Sequence, residues 1–172
     1  MEYLRIALRT DANETIGTGH FMRCLTLADE FLRANAQISF VARNLPQHLQ
    51  NMLTDRGMRY LALPSPDTSM DADELPHARW LPTSQAHDAE HTLAVLGKGS
   101  WDWLVVDHYA LDHRFETPLR KVCKHIMAID DLADRIHDCD VLLDQNFYLD
   151  PKQRYLGNVP PTCHLLLGPK FA

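Results

Sequence analysis

No C-x-x-C pair occurs in this chain: Cys24, Cys123, Cys139 and Cys163 stand far apart, which excludes a zinc ribbon and argues against a disulfide framework. Isolated buried thiols are the expected state. No apolar run approaches the ~20 residues needed to span a bilayer, so a membrane span is not expected. The opening Met1-Glu2-Tyr3-Leu4-Arg5 lacks the basic segment and apolar core of a secretory signal. A cytoplasmic location is therefore expected. Positive charge is not in excess either. The net charge is −6, without the basic stripe of a dedicated nucleic-acid binder. Internal repeats and low-complexity tracts are absent. What remains is ordinary globular composition, 45% hydrophobic and 23% charged over 172 residues, enough for one domain or one lobe of a larger enzyme.

Apolar runs alternate with segments of helical spacing. Strands are predicted at 4–8, 37–42, 58–63, 103–107, 125–129, 141–143 and 165–167. Helices are predicted at 24–32, 45–56, 83–97 and 111–123, with Pro46 acceptable in a first turn and Gly57 as a stop. Residues 64–82, rich in proline, serine and aspartate, read as a loop. This order implies parallel β-α-β units and a Rossmann-like, doubly wound α/β sheet. Ligands of such sheets sit beyond the carboxyl ends of the strands. Three polar clusters fall there: Asp11 and Asn13, then Asp107-His108-Tyr109, then Asp130-Asp131.

The segment from Arg9 to Cys24 joins the first strand to the first helix through a polar loop containing Gly17 and Gly19. Glycines at that corner allow close approach to the backbone, and the free N–H groups of a first helical turn favour an anion. Two familiar phosphate motifs are excluded. The third glycine of G-x-G-x-x-G would fall at Met22, Arg43 and Asn44 stand where a ribose-binding acid is needed, and Gly-Lys-Ser/Thr does not occur. His20 at the helix start reads most simply as a residue bonding the backbone. The helix dipole disfavours imidazolium there, so a neutral ring able to act as general base is the sharper reading. For Asp107 and Tyr109 the simpler reading is a turn cap and a packed ring; the sharper one sets His108 and Tyr109 at a pocket rim, orienting a sugar. Asp130-Asp131-Leu132-Ala133-Asp134 follows a strand and not a helix, so turn capping outweighs a magnesium-diphosphate motif. His87 and His91 stand four apart on a helix, but Asp88 and Glu90 beside them suit a solvated face, and no metal is expected. The tryptophans Trp80, Trp101 and Trp103 are expected to pack.

Taken together, Arg9-x-Asp11-Ala12-x(3)-Ile16-Gly17-x-Gly19-His20-x-Met22-Arg23-Cys24-Leu25-x-Leu27-Ala28 resembles the opening motif of the UDP-sugar hydrolases of pseudaminic acid biosynthesis. So do Val106-Asp107-His108-Tyr109-x-Leu111-Asp112, Ile129 to His137, Cys139 to Asn146, and Leu167-Gly168-Pro169-x-Phe171-Ala172. Related proteins serve spore-coat polysaccharide synthesis. The resemblance implies the amino-terminal lobe, residues 1–172, of a metal-independent GT-B-type enzyme without cofactor. Its substrate would be UDP-2,4-diacetamido-2,4,6-trideoxy-β-L-altropyranose, hydrolysed to UDP and the free sugar. It implies His20 and Tyr109 as catalytic residues, with Arg9, Asp11, Asn13, Gly17, Gly19, Arg23, Asp107, His108 and Asp130 binding substrate. A second, nucleotide-binding domain is expected beyond residue 172, and the isolated lobe is expected to be inactive. A glycosyltransferase of the same architecture and a non-catalytic carbohydrate-binding module are the alternatives.

Overall fold

A computed structural model describes residues 3–43, 45–65 and 74–172. Seven strands form one parallel sheet: β1 (Arg5–Thr10), β2 (Gln37–Ala42), β3 (Arg59–Ala62), β4 (Trp101–Asp107), β5 (Cys123–Ile129), β6 (Val141–Asp144) and β7 (His164–Leu167). Their order is β3-β2-β1-β4-β5-β6-β7. The chain winds outward from β1 to β3, then crosses back to β4 and winds the other way. The switch point therefore lies between β1 and β4, where Thr10 stands opposite Asp107.

Side chains alternate across the sheet and feed two cores. Leu104 and Val106 of β4 join the core under α3 (Gln85–Leu96) and α4 (His113–Leu119), whereas Val105 joins the core under α1 (Gly19–Arg33) and α2 (Gln47–Asp55). In α1 the buried positions His20, Phe21, Cys24, Leu25 and Ala28 recur at three to four residues, the stripe that a helix lays on a sheet. A short helix, α5 (Pro151–Arg154), precedes β7, and Tyr155 behind it is buried. The doubly wound sheet is as the alternation implies.

Some boundaries move. Helix α1 begins at Gly19, five positions before Cys24, because its first turn is polar and shows no apolar period. The helix predicted at 111–123 shrinks to α4. Asp112 caps its start by accepting from the Arg114 N–H at 2.8 Å, and Pro118 lacks the N–H that a longer helix needs. Cys123 then opens β5. Of the loop 64–82, residues 66–73 lie outside the described residues, and Ala78–Trp80 forms a 3-10 turn. The cysteines are all free, but Cys139 and Cys163 bring their sulfurs within 3.7 Å, so isolation holds only for Cys24 and Cys123.

Asp88 is not on a solvated face. It is fully buried on α3, where it accepts from Arg9 Nε at 2.9 Å and from Arg43 Nε at 2.8 Å. Arg9 in turn donates to both oxygens of Asp11, at 2.7 and 2.9 Å. Two guanidinium groups and two carboxylates thus tie β1, the end of β2 and α3 together. Burial alone would raise the Asp11 carboxyl, but the Arg9 charge outweighs it and holds the group well below the ordinary carboxylate range. A similar knot lies under β5. Asp130 meets Arg135 Nη1 at 2.9 Å, and His137 Nδ1 lies 2.7 Å from Glu116 Oε1. Burial there is again outweighed by charge partners, lowering Asp130 and raising His137.

Asp88→Ala leaves the buried Arg43 guanidinium without a carboxylate and Arg9 with Asp11 alone, and it should cost about 3–5 kcal/mol, read from the urea midpoint. The pH dependence follows from the shifts. Asp11 and Asp130, depressed in the folded state, contribute above the unfolded carboxylate value of about 3.9 and lose that contribution as pH falls through their folded values. His137, raised in the folded state, contributes fully below about 6.5 and loses its contribution as pH rises through its folded value. Urea midpoints should decline on both sides of a maximum lying between these limits. A midpoint flat from about pH 5 to 2 would contradict the acidic limb.

Candidate active site

The carboxyl end of β4 places Asp107 beneath the crevice, beside the start of α1. Its carboxylate is fully buried and takes four donors, one of them Cys24 Sγ at 3.6 Å from Oδ2. Arg23 contributes Nε to Oδ2 at 2.5 Å and Nη2 to Oδ1 at 2.6 Å, and His20 Nδ1 lies 2.6 Å from Oδ1. Burial would raise this carboxyl, but the hydrogen bonds from Arg23 and His20 outweigh it, so the group is lowered and stays ionised. An ionised carboxylate only accepts, so Nδ1 of His20 carries a proton. The 3.2 Å approach of Arg23 Nη2 to Nδ1 then sets two donors side by side, both aimed at Asp107.

With Nδ1 engaged, Nε2 is the nitrogen left for chemistry. It has no hydrogen-bond partner among the described residues and is not one of their fully buried unpaired atoms. The ring is held edge-on by Tyr109 at 4.5 Å and by Trp80 at 5.7 Å between centroids. Asp107 thus fixes both orientation and tautomer, a partner 87 residues away that the helix-start reading of His20 did not include. The same contact replaces the turn-capping reading of Asp107.

The loop before α1 is shaped by Asn13. Its Oδ1 accepts from the N–H groups of Thr15 and Ile16, both at 2.9 Å, and its carbonyl accepts from Gly17 N–H at 2.8 Å. Gly17 closes this turn at φ +77°, a left-handed conformation that favours glycine. Thr18 gives α1 no side-chain cap, and no acidic residue stands in the first turn. The helix start with Gly19 therefore presents unpaired N–H groups beside His20.

Tyr109 is half-buried, and its hydroxyl donates to Asp131. Burial and then the Asp131 bond push the phenol up, so it remains protonated near neutrality. Asp131 also receives Asn146 Nδ2 at 3.2 Å and lies 3.7 Å from Arg23 Nη1. A cavity of about 340 Å³ opens beside Arg23, lined also by Leu27, Ile129, Leu143 and Gln145. Another, of about 260 Å³, lies at the opposite, amino end of the strands against Arg5, Arg59 and Trp101, away from these groups.

The expected residues fall into two tiers. His20, Arg23, Tyr109, Asn13, Gly17 and Gly19 border the crevice. Arg9, Asp11, Asp107, His108 and Asp130 are buried beneath it. His108 is not at a rim: it is 2% exposed, accepts from Ala110 N–H at 3.1 Å and lies 3.2 Å from Asp11. Asp130 caps its own turn, accepting from Ala133 N–H at 2.9 Å. Trp80, expected only to pack, lies nearly parallel to the Tyr109 ring, 5.4 Å away at 21°. Trp80 is a site neighbour that sequence reasoning missed; of the expected pair Asp130-Asp131, it is Asp131 that reaches Tyr109. Among the described residues no group of three or more His, Cys, Asp or Glu side chains could hold a metal ion, and no helix is long and apolar enough to cross a membrane. His91 instead faces Arg43 Nη2 at 3.1 Å.

No known family profile matches the chain. Over 170 residues it is 24% identical to the UDP-2,4-diacetamido-2,4,6-trideoxy-beta-L-altropyranose hydrolase of Campylobacter jejuni. That similarity takes in 98% of this chain and 51% of the hydrolase, so the chain spans about half the length of the curated relative it matches. The chain is thus similar in sequence, along nearly its whole length, to part of a UDP-sugar hydrolase.

Proposed function

We propose that this chain forms the amino-terminal, water-activating lobe of a nucleotide-sugar hydrolase of GT-B type, acting on UDP-2,4-diacetamido-2,4,6-trideoxy-β-L-altropyranose or a close relative. The observation that carries the reading is the His20–Asp107 pair at the switch point of the sheet, with Nε2 left open. Its likeness to a UDP-sugar hydrolase supports the substrate class.

In this reading Nε2 of His20 takes a proton from a water molecule as the water oxygen bonds to the anomeric carbon. The bond from that carbon to the diphosphate oxygen breaks, and UDP leaves with the electron pair. Asp107 stabilises the imidazolium that forms. The reaction inverts the anomeric centre and uses no metal. Arg23 and the uncapped start of α1, with Gly17 and Gly19 beside it, supply positive potential toward the departing diphosphate. Tyr109 positions the sugar against His20. Arg9, Asp11, His108 and Asp130 act from below, holding the loops in register. A second lobe beyond residue 172 holds uridine and most of the diphosphate.

His20→Ala in the full-length enzyme should lower kcat by about 10²–10⁴-fold with KM little changed. Asp107→Asn should also lower kcat, because an amide cannot serve both His20 and Arg23 as the carboxylate does. UDP release in the absence of any acceptor is the assay. Activity of His20→Ala within tenfold of the parent would place the base elsewhere. Release that depends on an added sugar acceptor would identify a glycosyltransferase using the same base.

Residues 1–172 alone should release UDP negligibly, since a general base cannot restore turnover once leaving-group stabilisation and nucleotide binding are lost. Turnover by this fragment comparable to that of the full-length enzyme would place the nucleotide site within these residues.

A further inference from the structure

Cys139 and Cys163 take no part in the crevice, yet the fold brings them together. Strands β6 and β7 pair in parallel with Val141 opposite His164, and His164 N–H donates to the Asp140 carbonyl at 2.8 Å. Carried back along the chain, that register sets Cys163 beside Asp140, next to Cys139. The two sulfurs are 3.7 Å apart, although 24 residues separate them in sequence. Their environments differ. Cys139 is 1% exposed, whereas Cys163 is only partly buried, after a turn closed by its own N–H on the Pro160 carbonyl at 2.9 Å. The other thiols offer no such pairing: Cys24 and Cys123 are buried without a sulfur neighbour.

We propose that Cys139 and Cys163 are a reversible oxidation site that closes to a disulfide in the folded protein, with hydrogen peroxide as oxidant. Cys163 is the outer, attacking sulfur and Cys139 the inner, resolving one. The hydrogen bond shared with Cys139 lowers the Cys163 thiol despite partial burial, and the same bond with burial raises Cys139, which matches this division of roles. In the first step the Cys163 thiolate bonds to one peroxide oxygen. The O–O bond breaks, hydroxide leaves and is protonated to water, and the sulfur becomes a sulfenic acid. In the second, the Cys139 sulfur bonds to Cys163 Sγ, the S–O bond breaks, and the departing hydroxide takes the Cys139 proton as water. Two thiols and one peroxide thus yield one disulfide and two waters. The bridge pins the start of the edge strand β7 to the segment leading into β6.

The native full-length protein, treated with hydrogen peroxide and then trapped with a maleimide, should lose the Cys139 and Cys163 thiols together. A cross-linked peptide two mass units lighter should appear, and dithiothreitol should restore both thiols. Cys24 and Cys123 should stay reduced under the same treatment. The melting temperature of the oxidised form should rise by roughly 5–10 °C, as closing a loop of this length restricts the unfolded chain. In Cys139→Ser, Cys163 should instead accumulate as a sulfenic acid that dimedone captures. The inference is overturned if the parent's two thiols oxidise independently, or if the cross-link forms only after urea unfolds the protein. The wild-type peptide map decides this even where a variant does not fold.

Discussion

Everything above the sheet depends on one buried carboxylate. Asp107 ends the fourth strand with no exposure to water, and desolvation there is tolerable only because Arg23 and His20 surround it with donors. That requirement works in both directions. The carboxylate fixes the histidine, and the histidine and arginine, three residues apart on one helical face, fix how α1 sits over the end of β4. A one-residue shift at the start of α1 would rotate His20 by about 100° and take it off the carboxylate.

Buried charge is used on both sides of this centre. Arg9, Asp11, Asp88 and Arg43 lie toward β2, while Asp130, Arg135, His137 and Glu116 lie toward β6. Ion pairs of this kind add little net stability over apolar packing, because desolvation offsets attraction. Their directionality is what an apolar core lacks. Each guanidinium fork holds its carboxylates at set angles, so the loops leaving neighbouring strands keep one geometry. The crevice floor is rigid for that reason. The groups bordering it, on the turn Asn13–Gly19 and at Tyr109, are short or lightly buried.

The architecture was legible because its signals are local. Apolar runs such as Trp103 to Val106 and the helical period after Cys24 need no partner to be recognised. The polar clusters at strand ends were placed correctly on one edge by topology alone. What escaped notice depends on distant partners. Asp88 looked solvated beside Glu90, and only the arrival of Arg9 and Arg43 accounts for its burial. His108 directly follows a strand, where alternation cannot tell a rim from a floor. Trp80 lies in an irregular segment with no period to read, so its stacking on Tyr109 had no sequence signature. The shortened α4 was visible in principle, since Asp112 and Pro118 mark its limits.

The crossover from β3 back to β4 has a consequence for the order in which the protein is made. His20 leaves the ribosome 87 residues before Asp107, a delay of about 4–17 s at ordinary rates of translation. During that interval β1 can pair with β2, but its other edge has no strand beside it, and Arg23 has no buried counter-ion. Nascent chains held in this state expose the central edge of the future sheet, the surface on which chaperones and misassembly compete. A switch-point site therefore closes late, and the His20–Asp107 pair cannot form until the sheet has joined across its middle.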